Sequence, residues 1–174
     1  MNKLIASYVF VLIAVACLAT AATAQKVKVD LKNAQGQSVG TATLSPISGG
    51  GVSMKLDVKG LAPGSHGIHF HENAKCDAPD FKTAGGHFNP GHKMHGLENP
   101  AGAHAGDMMN FTVGAKGTAK VTVKDERVSL GTDAMSLYTN GGTAIVIHEK
   151  ADDYKTDPSG NSGARIACGL ILKH

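Results

Sequence analysis

Val52-Ser53-Met54-Lys55-Leu56-Asp57-Val58 carries an apolar side chain at every second position and a polar or charged one between. A period of two puts the four apolar residues on one face of an extended chain and the lysine and aspartate on the other, which is how a half-buried strand reads. The same alternation appears upstream at Val27, Val29 and Leu31, and downstream at Val121 and Val123. Turn-forming clusters punctuate the chain at Asn33-Ala34-Gln35-Gly36, Gly49-Gly50-Gly51, Pro63-Gly64 and Asn140-Gly141-Gly142. Thr143-Ala144-Ile145-Val146-Ile147 is continuously apolar and β-branched, which predicts a strand buried on both faces. No stretch sustains a helical period. The chain therefore reads as all-β, built from short strands joined by hairpins and corners.

Two segments break the pattern, residues 72–109 and 149–163, both rich in glycine, asparagine and proline and the first also in histidine. Loops of that length in a compact domain are usually functional, and a rigid β scaffold suits them. Composition removes other classes. A formal net charge of +3 is too mild for a nucleic-acid binder, and with no tryptophan and few other aromatics there is little to stack on bases or sugars.

Residues 1–24 read as an export signal: Lys3, an apolar run from Leu4 to Ala19, and Ala22-Thr23-Ala24 before Gln25. The run is barely long enough to cross a bilayer and lacks a positive flank, which argues against a membrane span. Cys17 follows Ala14-Val15-Ala16 as in a lipoprotein processing site, without the leucine usual three residues before it, so lipid anchoring is the minority reading. The expected mature chain is one domain, residues 25–174, periplasmic or extracellular. It keeps two cysteines, Cys76 and Cys168, and an oxidising compartment lets them pair. Closing that roughly 90-residue loop is worth about 4–5 kcal/mol in the chain-entropy model.

Nine histidines are present: His66, His69, His71, His87, His92, His95, His104, His148 and His174. His69 and His71, two apart in a strand, project to one face and can reach one ion. His148 ends the apolar strand, where a third imidazole can join them. Imidazoles of this kind, with one more nitrogen, suit copper. His87, His95, His104 and Asp107 supply three nitrogens and a carboxylate within a short stretch of glycine-rich loop, a full tetrahedral set for zinc.

The motifs that carry these residues resemble those of the copper/zinc superoxide dismutases along the whole mature chain. His66-Gly67-Ile68-His69-Phe70-His71-Glu72 is similar to that family's copper-binding strand. Gly85-Gly86-His87-Phe88-Asn89-Pro90, His95-Gly96 and His104-Ala105-Gly106-Asp107 resemble its zinc loop, and Ile147-His148-Glu149-Lys150-Ala151-Asp152-Asp153 its last copper ligand. Gly160-Asn161-Ser162-Gly163-Ala164-Arg165-Ile166-Ala167-Cys168-Gly169 resembles the segment holding its active-site arginine.

The resemblance implies an eight-stranded antiparallel Greek-key barrel or sandwich. It implies copper on His69, His71, His87 and His148, zinc on His87, His95, His104 and Asp107, and His87 as the imidazolate shared by both metals. It also implies that Asp152 joins His69 to His95 and that Arg165 docks the substrate anion. The implied reaction is dismutation of superoxide to dioxygen and hydrogen peroxide by alternating reduction and reoxidation of copper, with His87 carrying a proton. His66 matches a structural position, while His92 and His174 match nothing. Lys150 and Lys155 are candidates for positive potential at the site. The short segment 154–160 and the C-terminal end are closer to exported bacterial members than to eukaryotic ones, which leaves room for a homodimer without specifying one. The competing class is a non-catalytic copper/zinc chaperone or store on the same fold. A chaperone usually adds a Cys- or Met-rich exchange site, and this chain has no C-x-x-C.

Overall fold

The computed structural model describes residues 26–173, so the export segment, Cys17 and His174 lie outside the described residues. Nine strands follow one another: β1 (Val27–Lys32), β2 (Ser38–Pro46), β3 (Val52–Lys59), β4 (Gly64–His66), β5 (Ile68–His71), β6 (Phe111–Val113), β7 (Thr118–Asp125), β8 (Thr143–His148) and β9 (Arg165–Ile171). Seven of them form one antiparallel sheet in the order β5-β8-β9-β1-β2-β3-β7, and β4 pairs with β6. Only Gly67 separates β4 from β5. Counted as one strand that changes partner at that glycine, they bring the number to the eight expected. β6 turns into β7 through residues 114–117, where the Gly114 N–H donates to the Thr118 carbonyl at 3.0 Å. The β4–β6 ribbon thus links the two edges of a curled sheet, and the chain crosses between those edges in Greek-key fashion after β3 and again after β7.

Alternation decides the core. β1 and β3 bury every second side chain, and Val27, Val29, Leu31, Val52, Met54, Leu56 and Val58 all join the main apolar cluster. β8 is buried at all six positions, because its two faces have different covers. Ile145 and Ile147 face the main core, whereas Ala144 and Val146 pack with Phe81, Ala84 and Cys168 under the loop that follows β5. That loop is tied to β9 by the Cys76–Cys168 disulfide, with Cα atoms 5.7 Å apart. Among the described residues no helix is long and apolar enough to cross a membrane.

Replacing Cys76 with Ser is expected to lower stability by about 2–5 kcal/mol. The check is the denaturant midpoint in oxidising buffer, and the difference should vanish when the parent is reduced. Equal midpoints before reduction would show that the bridge adds nothing.

Candidate metal centre

β5 alternates its side chains: Ile68 and Phe70 enter the core, so His69 and His71 point the other way. His148 arrives from the adjacent β8. The ladder between β8 and β9 pairs Ile147 with Ala167 and then His148 with Arg165, leaving Ile166 as a bulge that brings His148 and Arg165 together at the sheet end. The loop after β5 lies back along that strand by backbone bonds, Phe70 N–H to the Gly106 carbonyl at 3.0 Å and Phe88 N–H to the Phe70 carbonyl at 2.8 Å. A Cβ on Gly106 would stand 2.4 Å from the Phe70 carbonyl oxygen, so only glycine permits this approach.

The result is two groups that share one residue. One ligand atom from each of His69, His71, His87 and His148 lies within 4.8 Å of every other, and His87, His95, His104 and Asp107 meet the same condition. All seven side chains are buried. In the first group His69 Nδ1, His71 Nε2, His87 Nε2 and His148 Nε2 have no hydrogen-bond partner in the protein. Four buried, unpaired nitrogens facing one another are costly unless something accepts their lone pairs, and a metal cation does. In the second group Asp107 Oδ1 lies 2.8 Å from His87 Nδ1, 3.1 Å from His95 Nδ1 and 3.3 Å from His104 Nδ1, and His87 and His104 Nδ1 are 3.4 Å apart. Ligands about 2.0–2.1 Å from zinc at tetrahedral angles are about 3.3 Å apart, so these donors fit such an ion.

The remaining ring nitrogens fix the tautomers. His69 Nε2–H donates to Asp152 Oδ2 at 2.6 Å and His95 Nε2–H to Asp152 Oδ1 at 3.0 Å, so one carboxylate orients a member of each group. His71 Nδ1–H donates to the Gly85 carbonyl at 3.0 Å, and His148 Nδ1 lies 3.1 Å from the Ser162 hydroxyl. His87 alone has both nitrogens turned to a metal group. Asp152 is itself clamped: Asn110 donates to its carbonyl at 2.8 Å and accepts its N–H at 2.9 Å. A Cβ on Gly160 would stand 1.9 Å from Asp152 Oδ1 and 2.7 Å from His95 Nε2. Asn110, Ser162 and Gly160 carry no role in the sequence reading. Ser162 and Gly160 stand inside a quoted motif, but Asn110 had no signal, because its contact spans 42 residues.

A cavity of about 490 Å³ opens on this centre, lined by Glu72, His87, His92, His148, Ser159 and Arg165 among others. Among the described residues Arg165 is the only Lys or Arg on its wall. Its guanidinium donates to the Phe81 and Gly85 carbonyls, each at 2.8 Å, and keeps further N–H donors for the cavity. His92 is thus at the mouth and outside both ligand groups. Lys150 and Lys155 do not line the cavity, and Lys155 pairs with Glu98 at 2.9 Å. His66 holds no ligand place: its Nδ1 lies 2.7 Å from the His148 carbonyl and its Nε2 2.8 Å from that of Ala62.

Burial dominates the electrostatics. Desolvation lowers His69, takes His71 well below its ordinary value and pushes His87 and His148 down to about 3, so these imidazoles are neutral and able to ligate. Burial also lowers His95, but Asp107 and Asp152 outweigh it and carry that residue up to about 9. Despite burial, both aspartates are held well below the carboxylate range by the imidazoles they accept from.

These shifts set the pH response of the metal-free protein. An unfolded histidine takes up a proton below about 6.5, but folded His87 and His148 do so only near 3, so their contribution is present above 6.5 and is lost as pH falls toward 3. His95 has the opposite sign: its contribution is full below 6.5 and is lost as pH rises through about 9. Stability of the metal-free protein is expected to peak near neutrality and fall most steeply on the acid side. A denaturation midpoint that climbs from pH 7 to 4 would contradict this.

Known proteins share the sequence and the fold. The family described as copper/zinc superoxide dismutase (SODC) matches residues 38–171. A relative from Aquifex aeolicus (strain VF5), named superoxide dismutase [Cu-Zn] 1, is 48% identical over 148 residues, covering 84% of this chain and 87% of its own. The crystal structure of a SOD-like protein from Bacillus subtilis superposes with a TM-score of 0.81 at 44% identity, covering 83% of this chain and 97% of that one. The Cu/Zn superoxide dismutase from Brucella abortus does so with a TM-score of 0.70 at 31% identity, covering 84% and 99%.

Proposed function

Because the chain belongs to the copper/zinc superoxide dismutase family, we propose that His69, His71, His87 and His148 hold its copper, that His87, His95, His104 and Asp107 hold its zinc, and that Arg165 docks the substrate anion. The protein is a superoxide dismutase that converts superoxide to dioxygen and hydrogen peroxide with copper and zinc. The observation that carries the ligand assignment is the set of four buried, partnerless nitrogens. Copper, when bound, supplies the one-electron couple that zinc lacks.

The chain's own residues do the rest. His87 belongs to both groups, with Nδ1 toward Asp107 and Nε2 among the buried nitrogens of the four-histidine group, and the residue lines the cavity, so a proton held at Nε2 would be close to a substrate bound there. Arg165 faces the same cavity as a planar cation anchored by two carbonyls, which suits a small anion that must bind and leave. The Gly85 carbonyl accepts from both Arg165 and His71, so docking group and ligand share one support. A store would need the ligands but no anion dock, and this favours the enzyme over the store. We propose further that residues 1–24 are removed on export and that residues 25–174 act in the periplasm or outside the cell. The Cys76–Cys168 bridge supports this, since such bonds persist in oxidising compartments.

Loaded with copper and zinc, the mature chain is expected to remove superoxide rapidly in a directly followed decay. Arg165→Ala should slow that decay about 10–100-fold, the worth of a hydrogen bond to a charged group, with copper content unchanged. His95→Ala should lose zinc and retain copper. Full metal content without turnover in the parent would overturn the enzymatic reading.

A further inference from the structure

Arg127 reaches the zinc loop from the barrel side. It stands two residues beyond the end of β7, and its guanidinium points at a turn 20 to 23 residues earlier in the chain. Its Nε–H donates to the His104 carbonyl at 3.3 Å, and an Nη2–H donates to the Asp107 carbonyl. Among the described residues no other side chain bonds the carbonyls of two metal-group members. The turn between them is tight: the Asp107 N–H donates to the His104 carbonyl at 3.3 Å, and the His104 N–H to Asp107 Oδ2 at 3.0 Å.

Asp125 seats the arginine. Its Oδ1 accepts the Arg127 backbone N–H at 2.9 Å and lies 3.0 Å from Nη2. The carboxyl is 2% exposed, and its other oxygen has no partner in the protein. Burial pushes it up to about 7 against the opposing charge of Arg127. A carboxyl so poorly solvated costs stability, so a surface ornament is a poor account of it. Arg127 is 39% exposed, and pairing with Asp125 alone would count for little there. Its targets, however, are carbonyls of buried residues, and the two bonds close from outside the turn that carries His104 and Asp107.

We propose that Arg127, seated by Asp125, is a positioning residue for the zinc site: it ties the backbone of His104 and Asp107 to the end of β7 and thereby sets how tightly the site holds zinc. The inference rests on the zinc assignment made above. A turn already held in its ligating form gives up less conformational freedom on binding than one that must be ordered by the ion. Groups that orient metal ligands commonly change affinity about 10–100-fold when removed.

The test follows zinc release from the copper- and zinc-loaded protein to a chromophoric chelator. Arg127→Met is expected to release zinc at least about tenfold faster and to alter the visible spectrum of cobalt(II) placed in the zinc site. The denaturation midpoint of the metal-free variant should stay close to the parent's. Arg127→Lys should fall between, because one ammonium cannot span both carbonyls in the fork geometry. Asp125→Asn should accelerate release less than Arg127→Met, and the lysine and asparagine variants decide the matter if the methionine variant does not fold. Release within twofold of the parent in all variants, from a parent that holds one zinc, overturns the inference. A parent whose zinc uptake is unaffected by His104→Ala would overturn the zinc assignment instead.

Discussion

The centre depends on keeping clustered imidazoles dry. His69, His71, His87 and His148 lie on or beside two fully buried strands, and desolvation holds them neutral with their lone pairs inward. An imidazole in that setting needs its second nitrogen satisfied, or it would rotate or draw in water. The structure meets this need with fixed acceptors: Asp152 for His69, the Gly85 carbonyl for His71 and the Ser162 hydroxyl for His148. The orientation of these imidazoles is therefore set by groups outside the four-histidine cluster.

Those acceptors lie on the two long loops, which makes the loops part of the scaffold. The segment after β5 is clamped to β9 by the disulfide and supplies the Phe81 and Gly85 carbonyls that hold Arg165. The segment after β8 supplies Asp152 and Ser162, and Asp157 reaches across to accept the His95 N–H at 2.7 Å. Asn110, at the end of the first loop, binds the backbone of Asp152 in both directions. Each loop holds the other's functional side chain, so neither ligand group can shift independently.

Strands with a clean period were legible in the sequence. Val27–Leu31 and Val52–Val58 alternate because one face of each meets water, and Thr143–Ile147 does not because the disulfide loop covers its outer face. β2 and β9 were harder to read: Ser, Thr and Gly interrupt one, and a bulge and Gly169 the other. The two side-chain clusters were legible because imidazole and carboxylate spacings and motifs survive in the chain. The supports were not. A carbonyl such as that of Gly85 leaves no mark on residue identity, and Asn110 and Arg127 look like ordinary polar residues until the fold brings them to partners far along the chain.

The two groups differ in what prepares them. Three members of the first, His69, His71 and His148, sit on strands whose positions follow from apolar burial and ladder pairing. Every member of the second lies in residues 87–107, outside the named strands, where the core side chains Phe88 and Ala105 and the backbone bonds of Phe88 and Gly106 to Phe70 anchor the chain only in part. Polar loop contacts complete its order: Asp107 with the Gly96 and His104 N–H groups, Asp157 with His95, and Arg127 with the His104 and Asp107 carbonyls. Loop ordering costs entropy residue by residue, and the strand-borne group met that cost when the barrel formed. On the proposed assignment, zinc affinity is thus more exposed to changes in surrounding polar side chains, whereas copper affinity answers mainly to changes in the core.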